Sequence, residues 1–214
     1  MDNVKKTLQE YIEENILPVY QKNSKAHNGE HVNEVLLRAF ALARKYYIDY
    51  NILYTAVCYH DIGDHVFREQ HEIISSVWVR NDNNLRVFFS EEEIETICEA
   101  IEDHRASLDG TPRSIYGKIL SSADRNVSVL RYFERSFSHS LEKNPNGEDH
   151  YHLEDLYKHA LKKFGENGYA VTKYYIADEA YSNYLQELQD LLVDKEKFET
   201  VALPVLEKEK KKIK

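Results

Sequence analysis

The stretch CYHDIGDH, residues 58–65, sets a histidine and an aspartate side by side at the end of the apolar run LYTAV. Burying an imidazole beside a carboxylate is unfavourable unless another group compensates for the lost hydration. A divalent metal ion would compensate, because neutral imidazole and carboxylate oxygen are both suitable ligands. The pair His60 and Asp61 therefore predicts a metal site at the end of a buried helix, with further ligands elsewhere in the chain.

Helical periodicity is nearly continuous along the chain. A clear stripe begins at Val32 and Val35 and continues through Ala39, and Ser90 with Glu93 has the spacing of a capping box that opens another helix. Seven glycines and four prolines in 214 residues leave little room for the tight turns of an all-β fold. We therefore predict an all-α fold, with a core of about six helices and a C-terminal helical extension.

Changes in composition suggest three segments. The predicted domains are an N-terminal helix at 1–23, a metal-binding core at 24–140 and a helical extension packed on the core at 141–214. In the extension, LEKNPNGEDHYH predicts a loop, helical patterns follow at 152–164 and 169–193, and the terminal KEKKKIK predicts a frayed tail. The segment DHYH within the predicted loop fits a plain polar loop better than a separate metal site.

Charge and cysteine content restrict the possible partners and the compartment. The formal net charge of −9 argues against binding to nucleic acid polymers or to anionic membranes. No apolar run is long enough to span a bilayer, so the sequence predicts a cytoplasmic protein. Cys58 and Cys98 lie in apolar helical contexts, which predicts two buried free thiols in a reducing compartment.

Candidate metal ligands occur at or near the ends of predicted helices, next to apolar stripes. Each is weak evidence alone, because a single histidine on a helix is usually an ordinary polar residue and Asp124 alone fits a surface charge. Together they form an ordered set whose helix ends can converge on one pocket of a helical bundle. The set is His31, His60, Asp61 and Asp124.

This ordered set resembles the HD superfamily of metal-dependent phosphohydrolases, whose pattern is H…HD…D on an all-α core. The resemblance covers roughly residues 24–135 and is carried by KAHNGEHVNEVLLRAFALA, YHDIGD and ILSSADR. It implies that the four residues bind one divalent ion (Mn, Fe, Co, Ni, Zn or Mg) that activates water for attack on phosphorus.

The resemblance leaves a second metal ion open. Some HD families have the pattern H…HD…H…H…D and bind two ions, and here His71 in HEIISS and His104 in AIEDH are the candidate extra ligands. Only nine residues separate Asp61 from His71, which is shorter than that pattern leads us to expect. His71 also fits a position on a helix face near the mouth of the pocket.

The residues expected to act in catalysis are Asp61 and Asp64. The branch that hydrolyses cyclic dinucleotides has HDIGK, and Asp64 replaces that lysine here, which argues against this substrate class. In nucleotide-hydrolysing relatives, an acidic residue orients the attacking water. It lies three positions after the aspartate of the His–Asp doublet, which is His60–Asp61 here. Asp64 stands at that offset and is the candidate general base or water-positioning residue, although a helix-terminal carboxylate is an equally good reading.

Substrate-binding candidates follow His104, in the densest cationic stretch of the core, HRASLDGTPRSIYGK. Guanidinium groups suit bidentate contact with phosphate, and lysine supplies a point charge. The candidates are Arg105, Lys118, Arg125 and His27, although His27 fits a surface position as well. The many tyrosines after residue 165 fit helix packing or the surface between two copies in a homodimer better than stacking on a base.

We expect a metal-dependent phosphohydrolase whose substrate is a small phosphorylated metabolite, with nucleotides as the first choice. A di-iron oxygenase on the same scaffold is an alternative that requires both His71 and His104 as ligands. A module that senses a nucleotide without hydrolysing it is a further alternative, against which the intact ligand set argues.

Overall fold

The structure is a computed structural model that describes residues 3–23 and 29–213. Within these ranges every regular element is a helix, which confirms the all-α prediction. The chain divides into two compact units. The first contains the chain up to Asp124 together with Tyr174–Ile176, and the second contains Arg125–Lys173 and the chain from Ala177 onward.

The first unit contains the metal-ligand candidates. Its α-helices are α1 (Lys6–Asn15), α2 (Gly29–Ala43), α3 (Tyr50–Tyr59), α4 (His71–Asn81), α5 (Glu91–Glu102) and α6 (Ile115–Ala123). Short 3-10 helices lie at Leu17–Lys22, Arg68–Gln70 and Asn83–Val87. Helix α5 packs against α3, α4 and α6, and α2 packs against α3 and α6.

Helix α3 is the centre of the first unit because it is apolar on every side. All residues from Ile52 to Tyr59 are buried, as expected for a helix without a polar face. Asp49 caps its N-terminus by accepting a hydrogen bond from the Asn51 amide at 2.7 Å. The helix ends at Tyr59, so His60 and Asp61 emerge in the protein interior.

Helix α5 begins as its sequence predicts. The Ser90 hydroxyl accepts from the Glu93 amide at 3.3 Å and the Glu93 carboxylate accepts from the Ser90 amide at 2.8 Å, which completes the capping box. One face, including Ile94, Ile97 and Ile101, is buried. His104 follows directly on this buried face. Helix α6 begins at Ile115 with Ser114 as its N-cap.

The second unit has more helix than the sequence predicts. Its helices are α7 (Val129–Lys143), α8 (Asp149–Phe164), α9 (Glu179–Leu192) and α10 (Lys195–Ile213). The stretch predicted as a frayed tail is helical up to Ile213, because α10 continues through it and Glu209 within it is buried. Earlier in the same helix, Phe198, Ala202 and Leu206 recur at helical spacing and are fully buried. The ring of Phe198 lies 5.0 Å from that of Phe133 in α7, so the helix is held by packing.

Two other predictions for this unit need correction. The segment DHYH forms the first turn of α8 and not a loop, and α9 begins at Glu179 and not at 169. The predicted domain bounds and the packing of the extension on the core stay predictions.

The two thiols lie in the interior of the first unit. Cys58 and Cys98 are buried and free, and burial raises the pKa of Cys98 to about 12. Among the helices of the described residues, none combines the length and apolar composition needed to cross a bilayer.

Candidate metal centre

The turn after α3 is pinned by groups that lie far away in the sequence. The Tyr20 hydroxyl donates to the Cys58 carbonyl at 3.0 Å and accepts from the Asp61 amide at 3.3 Å. The Asn23 side-chain amide donates to the Asp61 carbonyl at 2.8 Å. These contacts hold the backbone of the doublet, so the direction of both side chains is set by the fold.

The first candidate group contains His31, His60 and Asp124, whose ligand atoms lie within 4.8 Å of one another. His31 Nε2 is 3.0 Å from Asp124 Oδ1. Asp61 Oδ2 adjoins the same group, at 3.5 Å from His31 Nε2 and 3.2 Å from His60 Nε2. The structure thus brings together all four residues of the predicted set.

The second candidate group contains Asp61, His71 and His104. Asp61 Oδ1 lies 3.0 Å from His71 Nε2 and 3.5 Å from His104 Nε2. The Nε2 atoms of these two histidines are 3.1 Å apart. Asp61 therefore presents one carboxylate oxygen to each group and joins them.

Backbone carbonyls set the orientation of three of the imidazoles. The Nδ1 atoms of His60, His71 and His104 lie 2.7, 2.8 and 2.5 Å from the carbonyl oxygens of Val57, Arg68 and Ile101. Because a carbonyl only accepts, each Nδ1 carries the proton, and in the neutral ring Nε2 is then an acceptor.

The donor set consequently fits metal ions. Neutral rings in this orientation turn their Nε2 lone pairs toward carboxylate oxygens and, for His71 and His104, toward each other. Acceptors that face acceptors repel, and the repulsion is relieved by a proton on a ring or by a cation between them. Imidazole and carboxylate at these spacings are suitable ligands for a divalent ion.

The pKa shifts reflect the same crowding of charge. Burial lowers the pKa of His60, but the charge of Asp61 and its hydrogen bond raise the value overall to about 9. Burial favours the neutral form of Asp124, but the hydrogen bond from His31 and the charges of His31 and His60 bring its pKa well below the ordinary value. For His104, burial lowers the pKa more than Asp61 raises it. Metal ions would compete with protons for these nitrogens.

A glycine and a serine let α4 approach the doublet closely. The Gly63 amide donates to Ser75 Oγ at 3.0 Å, and a Cβ atom on Gly63 would lie 2.8 Å from Ile74 Cβ and 2.9 Å from the His71 carbonyl oxygen. The chain therefore needs only a tight turn and the 3-10 helix at Arg68–Gln70 to bring His71 back to Asp61. The short spacing noted in the sequence is sufficient for contact.

Asp64 and Arg105 lie among charged neighbours. The buried Asp64 carboxylate is 3.6 Å from Arg68 Nη1. The backbone amide of Asp64 donates to the Asp61 carbonyl at 3.0 Å. Arg105 Nη1 donates to the Glu69 carbonyl at 2.5 Å and to the Glu72 carboxylate at 3.1 Å. The catalytic role of Asp64 and the substrate contact of Arg105 stay predictions.

The other predicted substrate-binding residues are spread over both units. Lys118 is half-buried on α6 in the first unit. Arg125 belongs to the second unit, where its Nε donates to the Lys173 carbonyl at 3.4 Å. His27 lies outside the described residues. Arg113, in the same cationic stretch, forms a bidentate pair with Asp103.

The sequence analysis missed Tyr20 and Asn23, which hold the backbone of His60 and Asp61. Tyr20 lies in the 3-10 helix Leu17–Lys22, and Asn23 follows directly after it. No local pattern marks them, because both contacts span 38 residues or more of sequence. The buried tyrosine beside a helix break was the one available signal.

Comparison with known proteins identifies the segment that carries this centre. The family model of the HD domain matches residues 28–126, which include all six candidate ligands. No curated protein and no solved structure matches the chain. Residues 28–126 are therefore identified as an HD domain, and the resemblance to the HD superfamily found in the sequence is confirmed over this segment.

Proposed function

We propose that the protein is a metal-dependent phosphohydrolase with a two-ion centre that acts on a small phosphorylated metabolite. The observation that carries the proposal is the position of Asp61, whose two carboxylate oxygens face two separate sets of imidazoles. A carboxylate shared in this way suits a pair of closely spaced divalent ions.

The chain offers a distinct ligand set for each ion. His31, His60, Asp124 and one oxygen of Asp61 would hold the first, and His71, His104 and the other oxygen would hold the second. When bound, such ions polarise a phosphoryl oxygen and lower the pKa of a coordinated water. Nδ1 contacts with backbone carbonyls keep three of the rings aimed at the centre.

Other residues would act on protons and on phosphate. Asp64 is buried three residues after Asp61, and we assign it the role of accepting the proton of the attacking water or of orienting that water. Arg105 would contact the reacting phosphate and Lys118 another anionic part of the substrate, because a protein of net charge −9 needs local cations to attract an anionic substrate. Nucleotides remain the first choice of substrate.

A di-iron oxygenase is a second candidate, and the union of His71 and His104 with Asp61 favours it over a single-ion enzyme. The two candidates share the ligand set and differ in the metal and in the use of dioxygen. An iron-loaded protein that changes colour with oxygen and hydrolyses no phosphate ester would select the oxygenase.

The test combines metal analysis with hydrolysis. Elemental analysis of the Mn-reloaded protein should give about two equivalents, as expected of a two-metal site, and hydrolysis should be followed with p-nitrophenyl phosphate and a panel of nucleotides. His60→Ala should lose metal and activity, and His104→Ala should lose one ion and most activity. His150→Ala is the matched control, because His150 is exposed in the second unit.

Each outcome has a defined meaning. A single equivalent that His104→Ala leaves unchanged would contradict the two-ion centre. Two equivalents without hydrolysis of any phosphate ester would contradict the phosphohydrolase.

A further inference from the structure

A short segment from far along the chain belongs to the first unit. Tyr174–Ile176 groups with the residues before Asp124 and not with its own neighbours in sequence. The Tyr175 and Ile176 amides both donate to Ser122 Oγ, at 3.1 and 3.2 Å. Ser122 is fully buried in the last turn of α6, directly before the end that carries Asp124.

The two tyrosine hydroxyls of this segment contact two other parts of the first unit. Arg38 Nη2 donates to the Tyr174 hydroxyl at 3.5 Å, and the Tyr175 hydroxyl donates to the Gly110 carbonyl at 3.4 Å. Arg38 lies two turns after His31 on the same face of α2. Gly110 lies in the loop between His104 and α6. The segment thus contacts α2, α6 and the loop that follows His104.

A second cation lies on the same side of α6. Lys118 precedes Ser122 by one turn, so both residues share the helix face to which the segment is bound. The Lys118 side chain is half-buried, and its ammonium group has no ion-pair partner among the residues that the structure describes. Helix α2 packs on α6, and each of these two helices carries one of the cations, Arg38 and Lys118.

We propose that Arg38, Lys118 and the Tyr174 hydroxyl form an anion subsite that binds a second phosphate or a carboxylate of the substrate, away from the reacting phosphoryl group. Guanidinium and ammonium groups form charge-assisted hydrogen bonds with such anions, and a tyrosine hydroxyl can donate another. The preferred substrate then carries two separated anionic groups. This inference rests on the proposed function for the identity of the reacting group.

The test compares two probes that differ only in the second anion. Adenosine 3′,5′-bisphosphate and adenosine 5′-monophosphate are titrated calorimetrically into the Mn-loaded protein. We expect the bisphosphate to bind about tenfold more tightly, the ratio that about 1.4 kcal/mol of additional contact gives. Arg38→Ala should reduce this preference severalfold and leave the affinity for the monophosphate and the Mn content unchanged. Lys118→Ala should also reduce the preference severalfold, with the Mn content unchanged.

Two further variants separate the subsite from general effects. Arg44→Ala removes the same charge from an exposed position just after α2 and should leave the preference intact. Tyr174→Phe keeps the ring and removes only the hydroxyl, and we expect a smaller loss of preference than in Arg38→Ala. Thermal melting of each variant checks that the fold is kept.

The binding comparison tests the anion subsite independently of the proposed hydrolysis reaction. Equal affinity for the two probes in the unaltered protein, or a preference that survives Arg38→Ala and Lys118→Ala, would overturn the subsite even if p-nitrophenyl phosphate is hydrolysed. A preference that these variants abolish supports the subsite even if no ester is hydrolysed, and in that case only the proposed reaction fails.

Discussion

The turn YHDIGD at residues 59–64 and the segment DHYH at residues 149–152 combine histidine and aspartate within a few positions, yet they have different environments. At the first, His60 and Asp61 are buried and meet other ligand candidates. At the second, exposed Asp149 pairs with Lys210, and the buried His152 pairs through Nδ1 with Ser140 Oγ at 2.8 Å.

The difference teaches that convergence, and not local composition, makes a metal centre. The turn leaves a helix that is buried on all sides, so its polar side chains meet those of other helix ends. The segment DHYH begins an amphipathic helix, so its side chains divide between solvent and the interior. Three comparisons between the two regions test this explanation.

Gly63→Ala should have the largest effect on stability. The new Cβ would lie within 3 Å of Ile74 and of the His71 carbonyl, so α4 must move. We expect a loss of about 1–3 kcal/mol in the free energy of unfolding, typical of overpacking, together with loss of the ion held by His71. Urea unfolding and elemental analysis measure the two effects.

The matched change before DHYH is Gly147→Ala. Its Cβ would approach the side-chain atoms Asn144 Nδ2 and His152 Nε2, both at 2.8 Å, and not a backbone atom. We expect a smaller loss of stability and no change in metal content. Gly29→Ala is a second control, because nothing lies within 4 Å of its Cβ position. Equal losses at Gly63 and Gly147 would show that close packing of α4 is not special to the centre.

Tyr20→Phe should have an intermediate effect. It removes the hydroxyl that bonds the Cys58 carbonyl and the Asp61 amide, while the ring keeps its packing. We expect a loss of about 1 kcal/mol in stability. Metal affinity should fall about 10–100-fold, as it does when a group that orients a ligand is removed.

Tyr151→Phe is the matched control, since Tyr151 is 49% exposed within DHYH. It should change neither property in urea unfolding and Mn titration. Unchanged metal affinity in Tyr20→Phe would mean that the side chains of the doublet are held without this hydroxyl.

The smallest effect concerns the pH dependence of stability. In metal-free protein, the turn YHDIGD and the segment DHYH should lose stability at opposite ends of the pH range. The pKa of His60 is raised from 6.5 to about 9, so its contribution to stability is complete below pH 6.5 and is lost as the pH rises through 9. Burial lowers the pKa of His152, so its contribution is complete above pH 6.5 and is lost as the pH falls through the lowered value.

Thermal melting of chelator-treated protein from pH 5 to 9.5 measures both contributions. We expect His60→Gln to flatten the alkaline decline in Tm and His152→Gln to flatten the acidic decline. A decline that persists at alkaline pH in His60→Gln would assign it to another group.

Much of the first unit could be predicted from sequence because its signals are local. The apolar period of α2, the capping box of α5 and the apolar run of α3 each reflect contacts within one helix or its burial. The second unit was harder to read, because α7 and α10 have many charged residues and their buried faces are completed only by packing among α7, α8, α9 and α10. The end of α10 therefore resembled a solvated tail.

The sequence by itself determined the helical class, the burial of the doublet and the ordered set of His31, His60, Asp61 and Asp124, because periodicity and residue type are local properties. Only the tertiary structure decided that Asp61 joins this set to His71 and His104, that Tyr20 holds the doublet, and that Tyr174–Ile176 binds α6. These contacts link residues far apart in the chain, and the packing of whole helices, which no short pattern encodes, brings them together.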